Sequence, residues 1–199
     1  MRKLPTQDRA HATIEAIFQA TAQIVETEGE ARLTTNKVAQ KAGFSIGTLY
    51  QYFPGKEAIL MAMISRERRR VLDELQRMMK RAVDEQRNAQ AVVREMVHLL
   101  VESFGSGPQH RRAMIRLAWR MDHLEQVTQA LREASEGQAF ALGQLGDPTL
   151  RQPTPAMMFF ASRAVMGAIR SASLEDSPLL GTPEFEDELV RMVMGVIRR

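Results

Sequence analysis

The sequence predicts an all-α protein, and three observations support this prediction. Nearly every long segment carries apolar residues at helical spacing. No segment alternates between apolar and polar residues as a half-buried strand does. The clearest interruptions contain glycine and proline, at 105–108, 146–155 and 177–183. We expect about nine helices, three of them in a small domain over 1–54 and the rest in a larger domain over 55–199.

The first 54 residues predict three helices. Apolar residues line one face of the first helix, which is expected to end at Gly29. Thr34 is suited to cap a second helix, and Gly43 to follow it in the left-handed conformation. Ser45 is then suited to cap a third helix that ends before Pro54. Three helices therefore fit before residue 55, and the second and third of them are short.

Longer helices are expected beyond the small domain. Their predicted ranges are 56–85, 89–104, 109–121, 122–143, 155–174 and 183–198. Thr154 and Thr182 each stand directly before a proline. This order places a capping hydroxyl next to a residue that is favoured at the first helical position, so both C-terminal helices are expected to begin there.

Composition excludes several classes of protein. The chain of 199 residues contains no cysteine, which excludes disulfide scaffolds and thiolate metal sites and fits a reducing cytoplasm. Its four histidines are scattered, so no metal site and no cofactor are expected. We find no apolar run of membrane-spanning length, no nucleophile–base constellation and no phosphate loop. A net charge of +3 permits an anionic partner, and an enzyme is not expected.

The two short helices joined at Gly43 have the dimensions of a helix-turn-helix, whose second helix enters the DNA major groove. Leu49 and Phe53 lie four residues apart and are expected to anchor that helix inward. Short or planar side chains then face outward: Ser45, Ile46, Thr48, Tyr50, Gln51 and Tyr52. Hydroxyl groups can hydrogen-bond phosphate oxygens. An isolated tyrosine pair would favour core packing, whereas the full pattern favours DNA binding.

The stretch 33–57, LTTNKVAQKAGFSIGTLYQYFPGKE, resembles the DNA-binding segment of tetracycline-repressor-type (TetR family) regulators. The resemblance implies a homodimeric transcriptional regulator, usually a repressor, which binds a palindromic operator in double-stranded DNA. It also implies that a small-molecule inducer binds the larger domain and that the protein acts in the cytoplasm. The alternative is a helical small-molecule sensor or carrier without operator binding.

The resemblance also implies roles for individual residues. Those at positions that usually hold the phosphate backbone are Thr35, Thr48, Tyr50, Tyr52 and Lys56. Those at positions where sequence reading varies are Asn36, Lys37, Ser45, Ile46, Gly47 and Gln51. Asn36 or Gln51 can pair with adenine, whereas Ile46 can only touch a thymine methyl. For Lys37, a solvated helix face is an equally good interpretation.

The larger domain is expected to hold an apolar, methionine-rich cavity, because methionine walls adapt to varied ligands. The residues expected to line it are Met61, Ile64, Met96, His98, Leu100, Phe104, Met114, Trp119, Met121 and Phe140. His98 lies in a helix that is apolar on more than one face, and it is either a core group or a ligand contact. Trp119 either packs in the core or responds to the ligand.

The last two predicted helices are candidates for the dimer interface, in which two helices from each subunit would form a four-helix contact. The residues expected there are Phe159, Phe160, Arg163, Met166, Gly167, Arg170, Leu189, Met192, Val193 and Val196. The alternative is that these side chains fill the core of one subunit, and the two interpretations can hold on different faces.

Overall fold

The computed structural model describes residues 6–106, 115–116, 119, 129, 132–133, 136–137, 139 and 142–199. Within these residues the regular structure is helical, apart from one isolated antiparallel bridge between Leu150 and Arg198. The prediction of an all-α fold is confirmed. None of the helices in this part of the chain is both long and apolar enough to cross a membrane.

Seven α-helices fall within the described residues. They are α1 (Thr6–Glu28), α2 (Thr35–Ala42), α3 (Ile46–Tyr52), α4 (Lys56–Asp84), α5 (Ala89–Val101), α6 (Pro155–Leu174) and α7 (Pro183–Ile197). A 3-10 turn, Glu30–Arg32, follows α1, and a π-helical turn, Glu102–Ser106, follows α5. The predicted helices at 109–121 and 122–143 lie largely outside the described residues.

Helix ends coincide with the capping residues that the sequence predicts. The side chains of Thr154 and Thr182 accept hydrogen bonds from backbone amides in the first turns of α6 and α7, and a proline stands at the start of each helix. Asn88 caps α5 in the same way. Gly29 follows α1 with a φ of 82°, which is a conformation that favours glycine. These local signals therefore determine where the helices begin and end.

The chain forms two compact units. Among the described residues, the first contains 6–67 and 115–116, and the second contains 68–106, 119 and the described residues that follow. The residues of α4 are therefore divided between them. The first unit is held by a cluster of buried side chains from α1 to α4: Ile17, Phe18, Ala20, Ile24, Val25, Leu33, Val38, Ala39, Leu49, Phe53, Ile59 and Leu60. This small core is what orients α3.

The second unit is built from the remainder of α4 together with α5, α6 and α7. Each of these helices buries one apolar face, with residues such as Val71, Val97, Val165 and Val190. The π-helical turn after α5 packs closely, because a Cβ on Gly105 would lie only 2.6 Å from a methyl carbon of Leu180. Residues of all four helices also line a cavity.

Candidate functional site

The turn between α2 and α3 is defined by two caps and one glycine. The Thr34 hydroxyl accepts a hydrogen bond from the Lys37 amide (3.3 Å), and the Ser45 hydroxyl accepts one from the Thr48 amide (3.0 Å). Gly43, at the end of α2, has a φ of 77°, the left-handed conformation that the sequence predicts there. The helix-turn-helix geometry thus follows from local chemistry.

Burial determines which face of α3 points outward. Leu49 is fully buried and Phe53 nearly so, as expected for the two anchors. The opposite face leaves Tyr50 and Ile46 exposed, with 52% and 36% of their surfaces accessible. Tyr52 was expected to face outward but is half-buried, because it packs against the core of the first unit.

The hydroxyl groups of the motif lie next to one another on this face. The hydroxyl oxygens of Ser45 and Thr48 are 2.9 Å apart, and those of Thr35 and Tyr50 are 3.4 Å apart. The second pair joins α2 to α3 over fifteen residues of sequence. Because each hydroxyl can both donate and accept, these groups can also bond a phosphate oxygen.

Gly47 lies near the start of α3 and has free space around it. A Cβ built there would meet only the Ser45 hydroxyl oxygen, at an ordinary 3.8 Å. Its backbone is not in the left-handed region, so the fold of the chain itself does not require glycine at this position. A surface on which the backbone is left bare permits close approach by another molecule.

Two lysines of the motif differ in their surroundings. The ammonium group of Lys37 forms an ion pair with the carboxylate of Glu28, at the end of α1. The hydrogen bond from Lys37 holds the pKa of Glu28 below its ordinary value. Lys56, at the first position of α4, has no ion-pair or hydrogen-bond partner among the described residues. Lys56 is therefore available to an anion, whereas Lys37 must first leave Glu28.

The second unit contains a cavity of about 110 Å³ between α4, α5, α6 and α7. Its described lining is apolar except for Arg68 and Ser162. The full set is Arg68, Val71, Leu72, Leu75, Met79, Val93, Met96, Val97, Leu100, Phe104, Leu142, Met158, Ala161, Ser162, Val165, Met166, Val193 and Ile197. Four methionines contribute to the wall, in agreement with the kind of cavity that was expected.

The predicted effector residues are only partly brought together by this cavity. Met96, Leu100 and Phe104 line it, and the Trp119 ring lies behind Phe104 with centroids 5.9 Å apart. Met61 and Ile64 belong to the first unit and are not part of the lining. The predictions for Met114, Met121 and Phe140 lie outside the described residues.

His98 occupies neither of the two positions considered for it. Its side chain is 62% exposed, and its Nδ1 lies 3.1 Å from a carboxylate oxygen of Glu186 on α7. The inward face of α5 is formed instead by Val93, Val97 and Val101. His98 was expected in the core or against a ligand because its helix is apolar on more than one face. The acidic partner that it has in the structure comes from a different helix.

Sequence reasoning assigned Met61 and Ile64 of α4 to the cavity and missed the residues of α4 that line it. Arg68, Leu72, Leu75 and Met79 recur at spacings of three and four, which place them on one helical face. That periodicity was visible, but nothing local indicates that this face borders a cavity rather than a filled core. Leu142 and the cavity residues of α6 were missed for the same reason, because nothing local in the sequence indicates a cavity beside them.

The predicted dimer residues fall into four groups. Phe159 and Phe160 are each 61% exposed, and Gly167 and Arg170 are also exposed. Leu189 is buried within its own unit. Met166 and Val193 line the cavity, while Arg163, Met192 and Val196 are half-buried. The Arg163 guanidinium stacks on the Phe159 ring at 5.2 Å. Of the exposed residues, Phe159 and Phe160 provide an apolar patch on α6.

Within the described residues, no three acidic or histidine side chains come together as a metal site would require. The arrangement that the structure does contain is a helix-turn-helix in one unit and an apolar cavity in the other. The first can meet the backbone and bases of a duplex, and the second can enclose a small molecule.

Comparison with known proteins agrees with this arrangement. The family model for bacterial regulatory proteins of the tetR family matches residues 17–63. Nucleoid occlusion factor SlmA of Vibrio vulnificus is 31% identical over 143 residues, which cover 63% of this chain and 71% of that protein. The HTH-type transcriptional regulator EthR of Mycolicibacterium smegmatis is 34% identical over 108 residues, covering 50% of this chain and 45% of EthR.

A similar fold is found in a solved structure. SmeT, the repressor of the Stenotrophomonas maltophilia multidrug efflux pump SmeDEF, matches with a TM-score of 0.70 and 22% identity. The match covers 94% of this chain and 93% of that chain. At this identity the similarity establishes the shared architecture of the two proteins.

Proposed function

Because the chain belongs to the TetR family of bacterial regulatory proteins, and is thus a DNA-binding transcription regulator, we propose that it is a ligand-responsive repressor. As a homodimer it binds a palindromic operator in double-stranded DNA, and a small-molecule inducer releases it. It acts in the cytoplasm, beside the chromosome, and it catalyses no reaction and needs no cofactor. In this proposal residues 1–54 bind DNA and residues 55–199 bind the ligand and form the dimer.

The observation that carries the proposal is the outward face of α3. It combines an uncovered backbone at Gly47 with the paired hydroxyls of Ser45 and Thr48, and its Tyr50 hydroxyl lies beside that of Thr35 on α2. A core-packing role would not need this face to be both polar and bare. A major groove does, because the helix must approach the base edges while its flanks bind phosphates.

The proposed contacts divide by chemistry. Residues assigned to phosphates are Thr35, Thr48, Tyr50, Tyr52 and Lys56. Residues assigned to the base edges or the groove floor are Asn36, Lys37, Ser45, Ile46, Gly47 and Gln51. Tyr52 reaches a phosphate only through its hydroxyl, since much of its ring is covered by the first unit. Lys37 joins the interface once its ion pair with Glu28 is broken.

A second copy of the chain is needed, since one recognition helix covers only half of an operator. Two half-sites in consecutive major grooves lie about 34 Å apart. We assign the contact between copies to the exposed faces of α6 and α7. Phe159 and Phe160 support this assignment, because two adjacent phenylalanines that are mostly exposed are more stable when another surface covers them.

Inducer response is assigned to the cavity in the second unit. The helix α4 is continuous from Glu67 into Arg68, so it carries residues of both the DNA-binding unit and the cavity wall. A ligand that favours one position of α4 shifts the balance between two states of the dimer. A coupling free energy of about 1–3 kcal/mol would lower DNA affinity by roughly 5- to 150-fold.

Selection of random duplexes with the purified full chain tests the DNA-binding proposal. We expect enrichment of a palindrome whose half-sites are about one helical turn apart. Two variants sharpen the result. Tyr50→Phe is expected to weaken binding to all duplexes alike, whereas Gln51→Ala is expected to relax the preference at particular bases. Failure to enrich any sequence, at low or moderate salt, would instead favour a sensor or carrier without an operator.

The relative from Vibrio vulnificus indicates a second candidate function. Its name, nucleoid occlusion factor, suggests that this chain binds the nucleoid at large rather than a single promoter. Mapping of bound sites along the chromosome distinguishes the two candidates. One or a few promoter sites support a repressor, whereas many sites dispersed between genes support nucleoid occlusion. The apolar cavity favours the ligand-responsive repressor.

A further inference from the structure

The cavity of the second unit contains one feature that an apolar ligand does not need. Arg68 lies in its lining, on α4, among methionine, leucine, valine and phenylalanine side chains. An arginine among apolar residues loses hydration, and this loss is costly unless another charge or several hydrogen bonds replace the water. The group that replaces the lost hydration of the Arg68 guanidinium therefore indicates the chemistry of the ligand.

Within the described residues, Arg68 has no ion pair and no hydrogen-bond partner. Other arginines of α4 do: Arg66 pairs with Glu15, and Arg77 pairs with Glu74 at 2.6 Å. Arg68 is also half-buried, and burial lowers the pKa of its guanidinium without an opposing effect from a neighbouring carboxylate. Within the described part of the chain, an anion is the partner that this position lacks.

Ser162 is the other polar residue in the lining, and it offers less to a ligand. Its hydroxyl already donates a hydrogen bond to the backbone carbonyl of Phe159, at 3.1 Å. With its hydroxyl proton committed to that carbonyl, Ser162 has no hydrogen to donate to an anion. Among the described lining residues, Arg68 is thus the group with a positive charge and free donors.

The rest of the wall sets the size and character of the ligand. A cavity of about 110 Å³ is comparable to an engineered protein cavity of about 150 Å³ that stays dry and binds benzene. Met79, Met96, Met158 and Met166 make the wall adaptable, since their unbranched side chains can change rotamer around different shapes. The cavity therefore suits one ring or a medium-length alkyl chain.

We propose that the effector is a small amphiphilic organic anion, whose charged head binds the Arg68 guanidinium and whose ring or alkyl chain fills the methionine-lined cavity. This inference rests on the proposed function, because it names the ligand class for the cavity assigned to the inducer. Arg68 is the first residue of the second unit, so the anion binds where α4 leaves the DNA-binding unit.

The test compares three probes that share an alkyl chain and differ in charge: hexanoate, 1-hexanol and hexylammonium. Binding to the full chain is measured by calorimetry and by the fluorescence of Trp119, which is the only tryptophan and contacts the cavity residue Phe104. We expect hexanoate to bind at least about tenfold more tightly than 1-hexanol, and hexylammonium to bind most weakly.

Variants then assign the preference to one side chain. Arg68→Met removes the positive charge and leaves an unbranched apolar side chain. It is expected to lower the affinity for hexanoate to that for 1-hexanol. Arg69→Met is the matched control, because Arg69 is the next residue on α4, is exposed and does not line the cavity. It is expected to preserve the preference. Equal binding of hexanoate and 1-hexanol by the unaltered chain overturns the proposal without any variant.

The same samples separate this inference from the proposed function. If the chain selects an operator but shows no preference for hexanoate, the ligand class is wrong and the regulator assignment stands. If it prefers hexanoate but selects no DNA, the ligand class stands and the operator assignment is wrong. A preference for hexanoate that persists in Arg68→Met also overturns the role given to Arg68.

Discussion

The helix-turn-helix of the first unit and the cavity of the second unit are built in opposite ways. Residues 34–53 contain the caps, the glycine and the anchors that shape the DNA-binding surface. The cavity instead combines side chains of α4, α5, α6 and α7 with Phe104 and Leu142, which lie outside these helices. The core of the first unit is filled, and its proposed binding residues lie on the outer surface. The core of the second unit contains a cavity, and its proposed binding residues line that cavity. Local sequence therefore determines the first kind of site far more completely than the second.

The largest expected change in the free energy of unfolding follows from this difference between a filled core and a core with a cavity. Leu49 is fully buried in the first unit, and Leu49→Ala should lower the free energy of unfolding of that unit by about 3 kcal/mol. Leu75 borders the cavity, so Leu75→Ala removes fewer contacts and should cost about 2 kcal/mol. Urea denaturation followed by circular dichroism and by Trp119 fluorescence measures both. Equal costs would argue against a hollow second core.

A second prediction concerns the π-helical turn at the end of α5. Gly105→Ala would place a Cβ 2.6 Å from a methyl carbon of Leu180, and the leucine must shift. We expect a loss of about 1–2 kcal/mol. Gly143→Ala is the control, since its Cβ would meet only Pro153 at an ordinary 3.8 Å. Leu180→Ala in the Gly105→Ala background should recover part of the loss; a simple sum of the two costs would contradict the clash.

Two glycines of the DNA-binding motif should respond differently to the same change. Gly43 has a positive φ, and Gly43→Ala should destabilise the first unit by about 1 kcal/mol. Gly47 is helical with open space around it, so Gly47→Ala should leave stability unchanged or raise it slightly. Thermal unfolding measures these effects, and duplex binding separates them from function. Gly47→Ala should bind the selected operator more weakly despite its intact fold.

The smallest expected effect concerns the ion pair between Lys37 and Glu28. Because the pKa of Glu28 is lowered, the pair is intact at neutral pH and is lost only as the pH falls through that pKa. Glu28→Gln frees Lys37, so operator affinity should rise about twofold to fivefold and the salt dependence should steepen by about one ion per protomer.

The control for this prediction is Glu85→Gln, which changes the net charge equally at an exposed position of the second unit. It should leave the affinity nearly unchanged. If both variants raise the affinity alike, the effect reflects overall charge, and Lys37 is better described as part of a solvated helix face.

Particular residues show how far sequence reasoning reached. Thr34, Gly43 and Ser45 were predicted to shape the helix-turn-helix, and the structure confirms all three. Their effects depend on neighbours within four residues, which a sequence displays directly. Tyr52 was misplaced, because the core that covers part of it includes helices outside the motif. The roles of the proposed DNA-contacting residues stay predictions.

For the second unit, periodicity predicted the helices but not the space between them. Met96, Leu100 and Phe104 were expected in a cavity and do line one, whereas His98 on the same helix faces Glu186 instead. A helical repeat identifies an apolar face without identifying what lies opposite. Whether that face meets side chains or empty volume depends on how closely several helices approach.

The sequence by itself determined the helical class, the helix ends and the turn of the DNA-binding motif, because caps, glycines and apolar periodicity act over a single turn or two of helix. Tertiary structure alone decided that Arg68 borders a cavity and that Phe159 and Phe160 remain exposed. It also paired His98 and Glu186 across 88 residues. Such outcomes depend on the packing of helices that are far apart in the chain, where small differences in side-chain volume separate a filled core from a ligand site.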